Sequence, residues 1–228
     1  THSSKGAIES HFDGHDELEA ALAVSGKQDI LAAVQGILPE EIQCEYVMQG
    51  DPLGLGHAVL CAKEVVGDEP FYVHLPDDLI LAEHGCLLQL NLHYQRYGSS
   101  VIAVETIPKE KTLSYGIAAV DEEYKISEIV EKPSPDEAPS RLGVVGRYLL
   151  TPEIFTMLEE TGRGSGGEIQ LTDGIAKLMD HETVYAMPFV GKRYDCGDKL
   201  GYLKANVDFA LRRDDLAAGL REHLKSLA

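Results

Sequence analysis

Two aspartates close an apolar run at Leu75-Pro76-Asp77-Asp78. A buried strand that ends in carboxylates sets them at the mouth of a sheet. Adjacent strand residues point opposite ways, so one of the two faces a ligand. A carboxylate so placed can hold Mg²⁺, which takes a few oxygen ligands and completes its shell with phosphates and water. Pro-Asp-Asp is also good turn chemistry. A second acidic cluster, Arg193-Tyr194-Asp195-Cys196-Gly197-Asp198, again follows a strand-like run and precedes a helical one. Asp198 suits a helix N-cap, whose carboxylate accepts a backbone N–H. Asp195 is then free for another role, unless both serve only as turn residues. Glu131-Lys132 ends a third run before Pro133. A carboxylate accepts hydrogen bonds from neighbouring sugar hydroxyls and a lysine neutralises a phosphate, although Glu-Lys before Pro is also common on surfaces. Gln49 precedes a loop holding Gly54 and Gly56. Its carboxamide offers donor and acceptor together, as the edge of a pyrimidine imide requires, and glycines let backbone approach a planar base. The same residues also make an ordinary strand–helix loop.

Other patterns carry less. Residues 162–167 are dense in glycine but lack the preceding strand that a dinucleotide motif needs, which leaves a mobile turn. His11 and His15 have Gly14 between them and no third ligand, which leaves a surface pair. No G-x-S-x-G and no catalytic Cys/His constellation occurs, so covalent catalysis has no support.

The elements that must position these residues follow from periodicity. Residues 5–38 read as helical, with Leu18, Ala21 and Leu22 and then Ile30, Leu31, Val34 and Leu38 at helical spacing. Residues 43–48 read as a strand, 57–66 as a helix, 71–75 as a strand and 83–97 as a helix. Residues 100–107 are nearly continuous in Val, Ile and Ala, as in a strand covered on both faces of a parallel sheet. Closely spaced strands are expected at 115–120, 126–131 and 143–150, helices at 152–160 and 169–179, and a strand at 184–190. Amphipathic helices are expected from about residue 198 onward.

The chain has 228 residues, enough for a full core in one domain spanning 1–228. Its 20 basic and 38 acidic residues give a net charge of −18, which repels nucleic acid and anionic membrane surfaces. An anionic substrate must then be held by a few placed cations, backbone amides or a metal. No apolar stretch is long enough to span a bilayer. Cys44, Cys61, Cys86 and Cys196 form no CxxC pair and no zinc spacing, so they are expected to be reduced, in a cytoplasmic protein.

Taken in order, several segments resemble the bacterial-type UTP–glucose-1-phosphate uridylyltransferases, the UDP-glucose pyrophosphorylases. They are Thr1-His2-Ser3-Ser4-Lys5 with Ala7-Ile8-Glu9, Gln49-Gly50, Gly54-Leu55-Gly56-His57-Ala58-Val59-Leu60, Val66-Gly67-Asp68-Glu69-Pro70, Leu75-Pro76-Asp77-Asp78, Ser114-Tyr115-Gly116, Val130-Glu131-Lys132-Pro133, Val144-Val145-Gly146-Arg147-Tyr148, Gly167-Glu168-Ile169-Gln170-Leu171-Thr172-Asp173, and Tyr194-Asp195-Cys196-Gly197 with Lys199-Leu200-Gly201-Tyr202. Each is weak alone; in order along nearly the whole chain they are specific.

The resemblance implies an α/β, Rossmann-like nucleotidyltransferase fold with a mixed, mostly parallel sheet flanked by helices. It implies Mg²⁺-assisted in-line transfer of a uridylyl group from UTP to glucose-1-phosphate, giving UDP-glucose and pyrophosphate. By it, Asp77 and Asp195 are the Mg²⁺ ligands, with Asp78 a further metal or positioning residue. Gln49 and the Gly54 backbone contact uracil; Gly116, Glu131 and Gly146 contact glucose; Lys132 meets the sugar phosphate, with Lys192 assisting. The similarity and the closing helices also suggest a homo-oligomer. Members of the family open with a strand and a Gly-rich loop bearing Arg and Lys, which this sequence lacks. These residues alone are therefore expected to be inactive and poorly folded, with apolar sheet edges uncovered. The competing expectations are a related transferase using dTTP or another sugar phosphate, and a non-catalytic nucleotide-sugar-binding protein.

Overall fold

A computed structural model describes residues 6–39 and 41–227. The opening stretch is helical, in three short pieces: α1 (Gly6–Phe12), α2 (Asp16–Val24) and α3 (Gln28–Gln35). The breaks fall next to Gly14 and Gly26, residues that weaken a helix interior by about 1 kcal/mol relative to alanine. Residues 43–48 differ from expectation. They run as loop, outside every ladder of the described residues, because a strand exists only where a neighbour takes its backbone groups.

The chain continues through α4 (Leu55–Cys61), α5 (Lys63–Val66), β1 (Phe71–His74), β2 (Asp78–Leu81), α6 (Cys86–Tyr97) and β3 (Val101–Thr106). Then come β4 (Gly116–Val120), β5 (Ile126–Glu131), β6 (Leu142–Leu150), α7 (Glu153–Glu159), α8 (Leu171–Leu178), β7 (Tyr185–Pro188) and β8 (Lys192–Asp195). Helices α9 (Lys199–Ala210) and α10 (Ala217–Ser226) close it. Asp198 caps α9 as its residue type suggests, accepting the Gly201 N–H at 2.8 Å. The expected amphipathic stripe is poor on α9, which fully buries Ala205 and leaves Leu200, Tyr202 and Leu203 exposed. No helix among the described residues is long and apolar enough to cross a membrane.

The long strand β6 is the spine of the main sheet. One edge pairs antiparallel with β3; the other pairs antiparallel with β1 through Phe71↔Leu150 and with β4 through Ile117↔Gly143. Antiparallel β5 extends the sheet beyond β4, and parallel β7 extends it beyond β3. The sheet is mixed as expected, but the pairings are mostly antiparallel rather than mostly parallel. β1, β3 and β7 do run one way; β6 inserts between β1 and β3 in the opposite sense. Two-sided burial of β3 holds, but such burial follows from helices covering both faces, not from the direction of the neighbouring strands.

Alternation splits the core cleanly. Ile102, Val104, Val144, Tyr148 and Leu150 face α4, α7 and α8, with Phe155, Leu158, Ile175 and Leu178. Val101, Ala103, Val145 and Leu149 face α6, with Cys86 and Leu90. Two filled layers of side chains thus clamp the strands whose ends carry the polar residues. A separate two-stranded ladder, β2 with β8, stands beside this sheet.

Candidate active site

A cleft of about 400 Å³ brings together Asp77, Asp78, Gly116, Glu131, Lys132, Gly146 and Asp195, residues from five separate stretches of chain. The β2–β8 ladder is what unites the aspartates. Its register sets Asp78 opposite Asp195, and the Cys196 N–H donates to the Asp77 carbonyl at 2.7 Å. A methyl group placed on Gly197 would lie 3.2 Å from Asp195 Oδ1 and 3.5 Å from Asp77 Oδ2, so both carboxylates face the space above Gly197. Asp195 Oδ1 is oriented by the Gly197 and Asp198 amides at 3.1 and 3.3 Å, and its Oδ2 lies 3.4 Å from the Tyr115 hydroxyl. The exposed Asp77 carboxylate has no hydrogen-bond or ion-pair partner among the described residues.

The tandem aspartates do different work: Asp77 sits in the turn before β2, and Asp78 is the first residue of the strand. Asp78 turns inward and is 6% exposed. Its Oδ2 accepts the Gly146 N–H at 2.7 Å, and its Oδ1 takes Arg193 Nε and Nη2, each at 2.5 Å. Both oxygens are spent inside the protein, so Asp78 ties β2, β6 and β8 together and leaves ligand binding to Asp77.

Arg193 and Arg147 lie within motifs of the sequence that carry no expected role for them. Arg193 Nη1 donates to Glu105 Oε1 at 2.7 Å and to the Tyr115 hydroxyl at 3.0 Å, and its guanidinium lies 5.1 Å over the Tyr115 ring. Burial works against the Arg193 charge, but the Tyr115 hydrogen bond, Asp78 and Glu105 outweigh it and hold its pKa above the ordinary value. Arg147 donates to the carbonyls of Leu75, Gly146 and Asp78. The available signal for Arg147 was a basic residue alone inside an apolar strand.

Across the cleft, the β4–β5 register sets Gly116 opposite Glu131. Thr172 Oγ1 donates to Glu131 Oε2 at 2.7 Å, and Lys132 Nζ lies 3.3 Å from Oε1. Lys132 has φ 48°, a left-handed backbone that costs a non-glycine residue roughly 1 kcal/mol or more. Its N–H is held by the Tyr115 carbonyl at 3.0 Å. That twist lets Glu131 turn inward while the Lys132 ammonium stays at the mouth, 45% exposed. Burial, with the Glu131 and Asp78 charges, raises the Tyr148 phenol far above its usual range, so its hydroxyl stays neutral. Burial and Glu131 likewise raise the Asp173 carboxyl.

Gly146 lines the cleft, yet its N–H serves Asp78 and its carbonyl takes the Leu75 N–H at 3.0 Å and Arg147 Nη1 at 2.7 Å. The expected glucose contact there is left to its Cα surface. A Cβ would sit 2.6 Å from Leu75 Cβ and 2.8 Å from Asp78 Oδ2. Gly146→Ala is therefore expected to lower stability by about 1–3 kcal/mol through overpacking, read as a drop in the thermal midpoint. An unchanged midpoint would show that Leu75 gives way freely.

Gln49 and Gly54 sit beside the cleft rather than in its lining. Gly54 has φ 107° and packs so tightly that a Cβ would lie 2.8 Å from both Glu168 Cβ and Ile169 O. Ile169 N donates to Leu53 O at 2.7 Å and Gly56 N to Ile169 O at 2.9 Å, which straps the loop to the segment whose Glu168 and Gln170 line the cleft. Lys192 is not brought in. Alternate residues of β8 share a face, so Arg193 and Asp195 turn to the cleft while Lys192 and Tyr194 turn to α9. There Lys192 Nζ meets Asp208 Oδ2 at 2.5 Å and lies 5.0 Å over the Tyr194 ring. The expected phosphate role of Lys192 does not fit this arrangement, because β8 turns it to the wrong face.

The nucleotidyl transferase family model matches residues 9–211. The chain is 43% identical to the UTP–glucose-1-phosphate uridylyltransferase of Haemophilus influenzae, over all of this chain and 81% of that protein. It is 44% identical to the Bacillus subtilis protein of the same name, over all of this chain and 79% of that one. The solved structure described as UTP-bound UGPase from Acinetobacter baumannii matches with a TM-score of 0.89 at 42% identity, again over the whole chain and 81% of the other. Paired strand-end carboxylates, a Glu-Lys mouth and a glycine loop strapped beside them fall within that match, and the chain belongs to the nucleotidyl transferase family, among its UTP–glucose-1-phosphate uridylyltransferases.

Proposed function

We propose that the protein joins UTP and glucose-1-phosphate to give UDP-glucose and pyrophosphate. The observation that carries this is the approach of Asp77 and Asp195 to one space at the rim of the cleft, opposite Glu131 and Lys132. The names of its relatives point the same way. A phosphate oxygen of glucose-1-phosphate attacks the α-phosphorus of UTP; the bond from that phosphorus to the bridging oxygen breaks, and its electron pair leaves with pyrophosphate. The attacking oxygen is already ionised, so no general base is required. The protein's tasks are to bring two anions together and to offset charge.

Carboxylates outnumber cations in the cleft lining, and Arg193 is already committed to Asp78 and Glu105. Phosphates can therefore collect there only with an added cation. The donor set fits magnesium: the carboxylates of Asp77 and Asp195 share one space at the rim of the cleft. Mg²⁺ is held in this way, by one or two carboxylates with substrate phosphates and water filling its shell. Asp77 and Asp195 would hold it, and it supplies charge stabilisation to the phosphates. Lys132 draws in the sugar phosphate at the mouth. Glu131, fixed by Thr172, accepts from sugar hydroxyls, and the missing side chain at Gly116 leaves room for them. Gln49 reads the base.

The test uses the native protein with UTP, glucose-1-phosphate and MgCl₂, following release of pyrophosphate. Chelation of divalent cations is expected to abolish turnover and added Mg²⁺ to restore it. Full turnover in excess chelator, or dTTP turned over in preference to UTP, would refute the reading.

A further inference from the structure

Gln49 is locked by a chain of contacts that reaches into α4. Its Nε2 lies 3.0 Å from the Gly54 carbonyl and 3.3 Å from His57 Nδ1, and His57 Nε2 lies 3.8 Å from Cys61 Sγ. The Gln49 end of this chain has a fixed direction. A carbonyl oxygen only accepts, so the Gln49 atom facing Gly54 is the NH₂ group. Its second proton then points at His57 Nδ1, which must be bare to receive it. A neutral imidazole that accepts at Nδ1 carries its proton on Nε2, the nitrogen 3.8 Å from Cys61 Sγ. Both donors of the Gln49 carboxamide are thereby used, so the donor-and-acceptor pairing expected from the residue type is reduced to the acceptor alone. Its Oε1 has no partner among the described residues and is not a buried orphan.

We propose that His57 is a positioning and specificity residue for the nucleobase. By occupying the second N–H of Gln49, it leaves that side chain only an acceptor to present. An acceptor suits a base edge carrying an imide N–H, as in uracil, and opposes the lone pair that cytosine carries at the same ring nitrogen. The selectivity thus resides in the pairing of Gln49 with His57, one turn into the helix and behind the residue that touches the base. This inference rests on the base-reading role proposed for Gln49.

The experiment compares UTP and CTP as substrates of the native protein, with steady-state KM and kcat for each. Leucine and asparagine, in His57→Leu and His57→Asn, share the same branching at Cγ, and only asparagine places an acceptor at the δ position for Gln49. Losing one hydrogen bond of this kind is worth roughly tenfold. His57→Leu is expected to raise the UTP KM about tenfold and to shrink the UTP-over-CTP preference by a similar factor. The change should fall on KM rather than kcat. His57→Asn should recover most of both. Equal behaviour of the two variants, or an unmoved preference in His57→Leu, would overturn the proposal. Gln49→Ala separates the two levels. If it leaves the UTP KM unmoved, the base-reading role itself fails. If it raises that KM while His57→Leu and His57→Asn behave alike, only the role of His57 fails.

Discussion

Asp77→Ala lowers uridylyl transfer by about 10²–10³-fold or more and leaves the melting temperature where it was. Both halves follow from the geometry. The carboxylate is exposed and bonded to nothing among the described residues, so its removal disturbs no contact of the fold. Surface changes of that kind stay within about 0.5 kcal/mol. Yet the same group faces the space shared with Asp195, where phosphates of two anions must meet in a cleft rich in carboxylates. A stabiliser of developing charge contributes to the barrier, not to folding. Asp195→Ala provides the contrast. It is expected to lose as much activity, and it also strips the acceptor from the Gly197 and Asp198 amides at the start of α9. Each such bond contributes about 1 kcal/mol, so this variant should melt earlier while Asp77→Ala does not. Steady-state turnover and a thermal melt of each variant decide the matter. Near wild-type turnover in Asp77→Ala would remove the cation-binding assignment.

Asp77 was legible because it closes an apolar run, and Asp195 because its cluster follows a strand-like run and precedes a helical one, since strand ends are where polar groups can be exposed. The ladder that joins them was not. Asp78-Leu79-Ile80-Leu81 is four residues long and begins with a turn-like Pro-Asp-Asp, so its strand character came from β8, a partner more than a hundred residues away. Lys192 shows the same limit on a finer scale: it lies three residues from Asp195, and in a strand an odd spacing means the opposite face. Residues 43–48 carry strand-like composition without a ladder, and composition cannot supply the neighbour. The direction of β6 was equally hidden, since an apolar run reads the same both ways. Arg193 and Arg147 lie inside the sequence motifs, but a buried arginine differs from an exposed one only in what surrounds it. Sequence thus showed which side chains could do chemistry, and tertiary pairing determined which of them face one another.

The largest loss of stability should come from Arg193→Met. The guanidinium side chain is 8% exposed and faces the buried Asp78, with Glu105 and Tyr115 on its remaining donors. Methionine fills similar space but leaves the Asp78 charge buried and unpaired. Breaking one side of a buried pair costs about 3–5 kcal/mol, which for a chain of this length lowers the melting temperature by roughly 10 °C. Asp78→Asn tests the other partner while keeping an oxygen for the Gly146 N–H, and it strands the arginine with Glu105 alone. Combining the two removes both charges. The double variant should therefore melt above the temperature expected from adding the single losses, a coupling that neighbours sharing one network show and distant sites do not. Strict additivity would mean that Asp78 and Arg193 are held by their surroundings independently. Activity should fall along with stability in Arg193→Met. Arg193 Nη1 donates to the Tyr115 oxygen, which leaves the Tyr115 proton to point at Asp195 Oδ2. Arg193 thus acts on the cleft through Tyr115. Tyr115→Phe, which deletes that link without stranding a charge, should reduce turnover more than it reduces the melting temperature.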